Sequence, residues 1–214
     1  MQLPFSRTEF LDVFAAYNTT FWPVIALLWL ASLRVVMLLR QSRDGADRAA
    51  VVLLSLHWAW SGIAYHAVFF SSINPAAWLF AGLFVIEAAL LSYEGLRRNR
   101  LRFSVGRSPR HVVAAVLLVY SLAYPLVVLA EGLTLPRAPI FGVPCPTTIF
   151  TTGVLLTTEH LPVSVIVIPV LWATLAGSSA LLLGVHADLM LLICAVVLLM
   201  ACARLRPSLN HSAT

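Results

Sequence analysis

The sequence contains few charged side chains and no lysine at all. Charged residues make up 11% of the 214 residues and hydrophobic residues 60%, and the mean hydropathy is +0.91. Soluble domains carry about 25% charged residues because their surface faces water. So small a share of charge cannot cover a water-facing surface. The composition therefore predicts an integral membrane protein.

The missing residue types exclude several classes of protein. All 14 basic residues are arginine, so no lysine amine is present for a Schiff-base cofactor such as retinal or for a nucleotide-binding P-loop. The three cysteines, Cys145, Cys194 and Cys202, contain no CxxC pair. Their spacing fits neither a disulfide framework nor a zinc finger. The sequence identifies no cofactor.

Long apolar runs define the predicted architecture. A helix needs about 20 apolar residues to cross a hydrocarbon core about 30 Å thick. The pattern predicts an all-α integral membrane bundle of seven transmembrane helices over residues 19–206, between an N-terminal segment of residues 1–18 and a cytoplasmic tail of residues 207–214. The fifth run is short and rich in threonine and proline. The seven runs are residues 19–39, 49–72, 76–96, 111–131, 142–158, 163–185 and 187–205.

The arginines orient this predicted bundle, because cytoplasmic loops of membrane proteins are enriched in basic residues. Seven crossings with the N-terminus outside and the C-terminus in the cytoplasm leave only Arg7 and Arg137 on the outer side. The basic surplus is then expected to contact anionic membrane lipids rather than nucleic acid. Eleven arginines fall on the cytoplasmic side: Arg40, Arg43, Arg48, Arg97, Arg98, Arg100, Arg102, Arg107, Arg110, Arg204 and Arg206.

The first 18 residues carry the signature of a helix N-terminus. Ser6 and Glu9 have the spacing of a capping box, and Phe5 with Phe10 fits a hydrophobic staple around it. The pattern predicts a short amphipathic helix on the outer membrane interface that turns into the bilayer at Asn18. Its apolar face is formed by Phe10, Leu11, Phe14 and Tyr17.

Three ionisable side chains fall within the predicted spans at nearly one depth. At 1.5 Å per residue, Arg34, His57 and Glu87 lie about 9, 12 and 13.5 Å from the cytoplasmic ends of their helices. We expect an Arg34–Glu87 ion pair with His57 near it. Such a layer is either structural, through interhelical polar contacts, or a relay or cavity floor. Four further side chains fall at a similar depth: Tyr120, Thr151, Thr152 and Trp172.

A second polar set gathers near the predicted outer face. Histidine, cysteine and aspartate are metal-ligand types, and the helix order is able to bring them together. The sequence therefore offers an outer metal site as a hypothesis, against the alternative that the loop histidines are simply solvated. Its members are His66, Cys145, His186 and Asp188.

The fifth span has an irregular start, because Pro144 and Pro146 flank Cys145 and remove backbone donors. Behind them, a threonine stripe of residues 147, 148, 151 and 152 occupies one helical face, with Gly153 beside it. Such a face suits a cavity wall and equally suits close helix packing.

Three segments carry a resemblance to a known family: residues 57–66 (HWAWSGIAYH), 73–77 (INPAA) and 141–150 (FGVPCPTTIF). They resemble a bacterial multi-pass membrane family of unknown function over most of the chain. The resemblance implies a location in the bacterial inner membrane and no activity. The chain is less similar to the seven-span zinc hydrolases, since Gly62 stands where they have a serine four positions before the span-two histidine, and span seven lacks their paired histidines.

Three functional hypotheses follow. The first is a transporter or channel-like protein for a small solute or ion, with Arg34, His57 and Glu87 as gate or proton-coupling residues. The second is a membrane-embedded enzyme or metal-binding protein that uses the outer histidine, cysteine and aspartate set. The third is a non-catalytic subunit of a membrane complex. A homo-oligomer is also compatible with a bundle of this size.

Overall fold

The computed structural model describes residues 4–41 and 43–205, which form helices joined by turns and loops. The predicted tail of residues 207–214 lies outside the described residues. Two loop residues, Phe103 and Thr158, meet in an isolated antiparallel bridge. The helices are α1 (Arg7–Leu39), α2 (Asp44–Trp60), α3 (Ala77–Ser92), α4 (Pro109–Ala130), α5 (Pro144–Leu155), α6 (Val167–Leu183) and α7 (Met190–Leu205).

Six helical segments in the described part of the chain are long and apolar enough to cross a membrane. Large apolar side chains such as Trp22 and Leu126 are about two-thirds exposed on their surface, as a lipid-facing surface requires. The chain is therefore a helical membrane protein. Helix α5 is not one of the six, because it has only 12 residues, all of them buried. The six segments are Arg7–Leu39, Asp44–Ser72, Ala77–Arg97, Pro109–Ala130, Val163–Leu183 and His186–Arg204.

Helix α1 begins with the predicted capping box. The Glu9 backbone N–H donates to the Ser6 hydroxyl, and the Ser6 backbone N–H donates to the Glu9 carboxylate. The expected turn at Asn18 is not found, because the helix runs through Asn18 and is interrupted at Phe21 (φ −115°, ψ 18°). Pro23, two residues later, lacks the N–H that would continue the helical hydrogen bonding. We call residues 4–20, ahead of this interruption, the arm.

Helix α2 widens beyond Trp60. Residues Ser61–Phe69 form π-helical turns, followed by a 3₁₀ turn over Phe70–Ser72. π-Helices are rare and occur frequently at functional sites. Gly62 lies in this segment, and a Cβ there would come within 2.9 Å of the Phe84 Cβ and 3.0 Å of the Ala81 carbonyl oxygen. Glycine therefore permits the close approach of α2 and α3 at this level.

The bundle has two ends that differ in composition. The arm end contains the arm and residues 72–77, 131–143 and 184–189, held together by bonds such as Asn18 Nδ2 to the Ala138 carbonyl (2.8 Å) and Arg7 Nε to the Leu183 carbonyl (2.9 Å). The arginine end contains residues 40–41, 43–47, 97–109 and 157–163, and next to them Arg110 donates to the Thr158 carbonyl. Helix α5 runs between these ends, since its preceding loop contacts the arm and its following turn contacts residues 102–104.

Candidate functional site

A cavity of about 220 Å³ opens between the arm and the helices beneath it. Its walls are largely aromatic, and their rings contact one another: Phe5 packs on Phe70 at 5.4 Å and Phe14 stacks on Tyr65 at 5.4 Å between ring centroids. The arm thus forms the roof of the cavity with the same apolar face that the sequence assigned to membrane anchoring. The aromatic lining residues are Phe5, Phe10, Phe14, Tyr65, Phe70, Phe80 and Trp172.

The polar part of the cavity wall contains Asn74, Ser179, Cys145 and Asp188, of which Asp188 is the ionisable acid. Asp188 belongs to the short 3₁₀ turn His186–Leu189 before α7, and its Oδ1 accepts a hydrogen bond of 2.5 Å from the Tyr124 hydroxyl of α4. Cys145 lies beside it in the first turn of α5, where Pro144 occupies a position that needs no N–H donor. No arginine of the described chain lies within 4.0 Å of the Asp188 carboxylate. A buried acid therefore faces a largely apolar, aromatic space.

Tyr120 contacts this 3₁₀ turn and does not join the polar layer that was predicted around Arg34, His57 and Glu87. Its hydroxyl donates to the Ala187 carbonyl at 2.8 Å, one helical turn from the Tyr124–Asp188 bond. Trp172 likewise lies in the cavity wall, with its ring 5.0 Å from that of His66. Both residues were assigned to the layer by depth alone. The structure instead places Trp172 in the cavity wall and Tyr120 against the turn that carries Asp188.

The predicted four-residue metal centre does not form. Cys145 and Asp188 do meet, but His186 is exposed in its turn. His66 is fully buried among aromatic rings, with Phe84 at 4.8 Å. Within residues 4–41 and 43–205, no three histidine, cysteine, aspartate or glutamate side chains are grouped to hold a metal ion. The helix order brings the segments close, but the side chains of the two histidines point elsewhere.

The predicted Arg34–Glu87 ion pair is wrong. Arg34 is exposed, whereas Glu87 is fully buried, and the described part of the chain contains no ion pair between them. The two residues share a depth, but α1 presents Arg34 to the exterior of the bundle. A long arginine side chain on such a surface extends its guanidinium toward the membrane interface.

His57 is buried between α1 and α2 with its hydrogen bonds satisfied. Its Nδ1 lies 2.6 Å from the Leu53 carbonyl oxygen and its Nε2 lies 2.9 Å from the Ser32 hydroxyl. Its Nε2 also lies 3.0 Å from the Leu28 carbonyl oxygen, to which the Ser32 hydroxyl donates, so both ring nitrogens face backbone carbonyl oxygens. His57 therefore joins two helices and does not meet Arg34 or Glu87 in a relay.

The threonine stripe of α5 is packed rather than solvated. Thr148, Thr151 and Thr152 each donate to the carbonyl four residues earlier, at 2.8 to 2.9 Å. The Thr151 hydroxyl also accepts from the Trp58 indole at 2.8 Å. A Cβ at Gly153 would come within 3.2 Å of the Ala114 carbonyl of α4. Of the two interpretations of this face, close helix packing fits the structure.

A second polar region lies below the cavity, between α2 and α3. The contact of Ser92 with Ser55 (3.0 Å) and the approach of Gly62 to Ala81 fix the register of these antiparallel helices. This register places Glu87 opposite the turn of residues 58–61. Buried polar atoms without a protein partner normally bind ordered water or a ligand. On these two helices and the π-helical turns after α2, such atoms in the described chain are Ser61 Oγ, both ring nitrogens of His66 and both carboxylate oxygens of Glu87.

Several residues of the site escaped the sequence analysis. Tyr124 shares a helical face with Tyr120 four residues earlier, which was the only available signal for it. Ser61 and Tyr65 are buried in the π-helical segment after α2. The sequence pattern did not predict a π-helix there. Phe10 and Phe14 were recognised as one apolar face, but not as the roof of a cavity.

No curated protein and no solved structure shows significant similarity to the chain. A family model, by contrast, matches residues 7–211, which include every residue of the cavity apart from Pro4 and Phe5 at its rim. This match confirms the resemblance to an uncharacterised family. The chain therefore belongs to the family described as Family of unknown function (DUF6064).

Proposed function

We propose that the protein is a membrane transporter that takes up a small solute through the arm-end cavity. The observation that carries this proposal is the cavity itself, with the Asp188 carboxylate buried in an aromatic wall and bonded to Tyr124. Binding sites for small molecules are concave and mostly apolar, with a few convergent polar groups that orient the ligand. The arm-end cavity combines these properties within a membrane bundle.

The arm end faces the outside in this proposal. The segments of the arginine end contain seven arginines and those of the arm end two, Arg7 and Arg137. Basic residues are enriched on the cytoplasmic side of bacterial inner membranes. Helix α5 and the loop before it then form the fifth of seven crossings. The arm lies at the outer interface, with its charged residues Arg7, Glu9 and Asp12 exposed and its apolar face on the bundle.

Labelling of intact cells tests this orientation. A membrane-impermeant maleimide should label the variant Glu131→Cys, in the arm-end loop, and should leave Gly45→Cys unlabelled until the cells are lysed. The three native cysteines are buried and provide the background. The reverse labelling pattern would place the cavity on the cytoplasmic side and contradict uptake from outside.

Glu87 provides the second element of the proposed transport route. Its carboxyl group is fully buried and has no hydrogen-bond partner among the described residues. Ionisable groups at such positions in membrane proteins mark ion pathways and proton relays. Its position opposite the turn of residues 58–61 places it between the cavity and the arginine end. We therefore assign it the coupling step, in place of the three-residue layer that the sequence suggested.

A substitution that fills the cavity with a larger side chain tests transport directly. The full chain in proteoliposomes is incubated with a mixture of small metabolites, and the luminal contents are identified by mass spectrometry. Ala176→Phe places a ring into the cavity wall, and Leu181→Phe places one on the exposed surface of the same helix. We expect a solute that accumulates with wild type and Leu181→Phe and is lost with Ala176→Phe. Equal accumulation with both variants would contradict the proposal.

A further inference from the structure

We propose that the ligand of the arm-end cavity is a small organic ammonium cation. This inference rests on the proposed function, because it names the class of solute that the cavity takes. It is carried by two independent features of the cavity, one buried carboxylate and a largely aromatic lining.

The carboxylate is Asp188, which is only 6% exposed. A buried carboxylate without a compensating positive charge is strongly unfavourable. The Tyr124 hydroxyl supplies one hydrogen bond, but no guanidinium of the described chain lies within 4.0 Å. Arg7 is the basic residue of the arm, and its Nε is held by the Leu183 carbonyl at 2.9 Å. The positive charge that Asp188 needs is therefore absent from its surroundings, and a bound cation would supply it.

The aromatic walls favour the same class of ligand. A cation over the face of tryptophan, tyrosine or phenylalanine is attracted by the ring quadrupole, and quaternary ammonium groups are recognised by such aromatic cages. Phe10, Phe14, Tyr65 and Trp172 come from three different elements and line one space with Asp188. An anionic solute would meet repulsion from the carboxylate. A neutral apolar solute would leave that carboxylate uncompensated.

The volume limits the size of the cation. Pockets for drug-sized ligands measure about 300–1,000 Å³, and this cavity measures about 220 Å³. A primary amine or a trimethylammonium group with a short apolar tail is expected to fit. The charged head would lie at Asp188 and the tail among the phenylalanines of the arm.

A pair of probes with the same shape and different charge tests the inference. Choline and its neutral counterpart 3,3-dimethylbutan-1-ol are titrated calorimetrically into the full chain in maltoside micelles, which carry no choline headgroups. We expect choline to bind more tightly. Asp188→Asn should weaken choline binding by at least about 30-fold, since removing one member of a buried charge pair costs that much, and should leave the alcohol unaffected. The matched control is Asp12→Asn, an exposed acid of the arm that pairs with Arg137.

A second pair of variants tests the contribution of the aromatic lining to choline binding. Trp172→Leu should weaken choline binding by about 3- to 30-fold, whereas Trp78→Leu, which changes an exposed tryptophan of α3, should not. If Asp188→Asn fails to fold, the comparison of choline with the alcohol on wild type still decides the question. Equal affinities for the two probes would overturn the cation and leave the cavity as a solute site. Binding of neither probe would overturn the cation and remove support for the cavity as well.

Discussion

The acidic side chains at the two ends of the bundle differ in their partners. At the arginine end, three acidic side chains lie within 4.0 Å of an arginine: Asp44, Asp47 and Glu94. At the arm end, Asp188 faces aromatic rings and is bonded to the Tyr124 hydroxyl. Charges at the first end are neutralised within the chain, while the buried charge at the second is left for a partner. The acidic side chains at the arginine end hold loops in place, whereas Asp188 is available to bind a ligand.

The arginine end shows what internal neutralisation achieves. Arg102 bonds to Asp44, and this hydrogen bond raises the pKa of the Arg102 guanidinium above its usual value. The Phe103 backbone N–H donates to Asp47 at 3.3 Å, which attaches the loop to α2. Ser104 and the Glu159 backbone continue the attachment to the turn after α5. These contacts hold the surface loops of the arginine end against α2 and the turn after α5.

Glu87 lies between the ends and should show the largest effect when it is changed. Glu87→Gln keeps the shape of the side chain and removes its ability to exchange a proton. We expect solute accumulation in proteoliposomes to fall to the background of empty vesicles, with the yield of folded protein unchanged. The matched control is Glu131→Gln, an exposed acid of the arm-end loop.

The alternative for Glu87 is a purely structural role. In that case Glu87→Gln would lower the yield of folded protein, or would leave transport at the wild-type rate. Either result would remove Glu87 from the transport route. The choline titration on the same variant then shows whether the cavity above it is intact.

A smaller effect is expected for the hydroxyl that holds Asp188. Tyr124→Phe leaves a buried acceptor unsatisfied, which costs about 1–3 kcal/mol of folding free energy. Tyr120→Phe removes the bond to the Ala187 carbonyl from a half-buried position and should cost about 0.5–1.5 kcal/mol. Unfolding of both variants in mixed micelles, followed by circular dichroism, measures the difference. A Tyr124 loss no larger than the Tyr120 loss would contradict the special position of Asp188.

The smallest effect is expected at the arginine end. Arg102→Ala removes an ion pair to the exposed Asp44 carboxylate and a 4.0 Å contact to Asp47, which keeps its hydrogen bond from the Phe103 N–H. Ion pairs at an exposed surface contribute little because solvent screens them. Thermal unfolding monitored by tryptophan fluorescence should leave Tm close to that of wild type, and choline binding should be unchanged. A large drop in either quantity would show that the two ends are coupled through the bundle.

Depth in the membrane could be estimated from the sequence, but rotation about each helix axis could not. Arg34, His57 and Glu87 were placed at one level by counting residues from the helix ends. The structure points Arg34 outward, joins His57 to Ser32 and buries Glu87 without a partner. A residue count gives the rise along an axis at 1.5 Å per residue. It does not specify which neighbour each helical face meets.

Local patterns were read more accurately than distant contacts. The capping box of Ser6 and Glu9 is confirmed, because it depends on residues three positions apart. Of the four residues in the hypothesised outer metal site, two, Cys145 and Asp188, line the same cavity. His66 was not recognised as enclosed by aromatic rings, because those rings come from residues far apart in the chain.

Composition and the apolar runs alone determine that this chain is a helical membrane protein, because too few charges are present to cover a soluble surface. The cavity, the exposure of Arg34 and the solitary burial of Glu87 depend on how the helices rotate against each other. That rotation is set by side-chain packing between distant segments, such as Gly62 on Phe84 and the arm on Tyr65, and packing of this kind has no local signature.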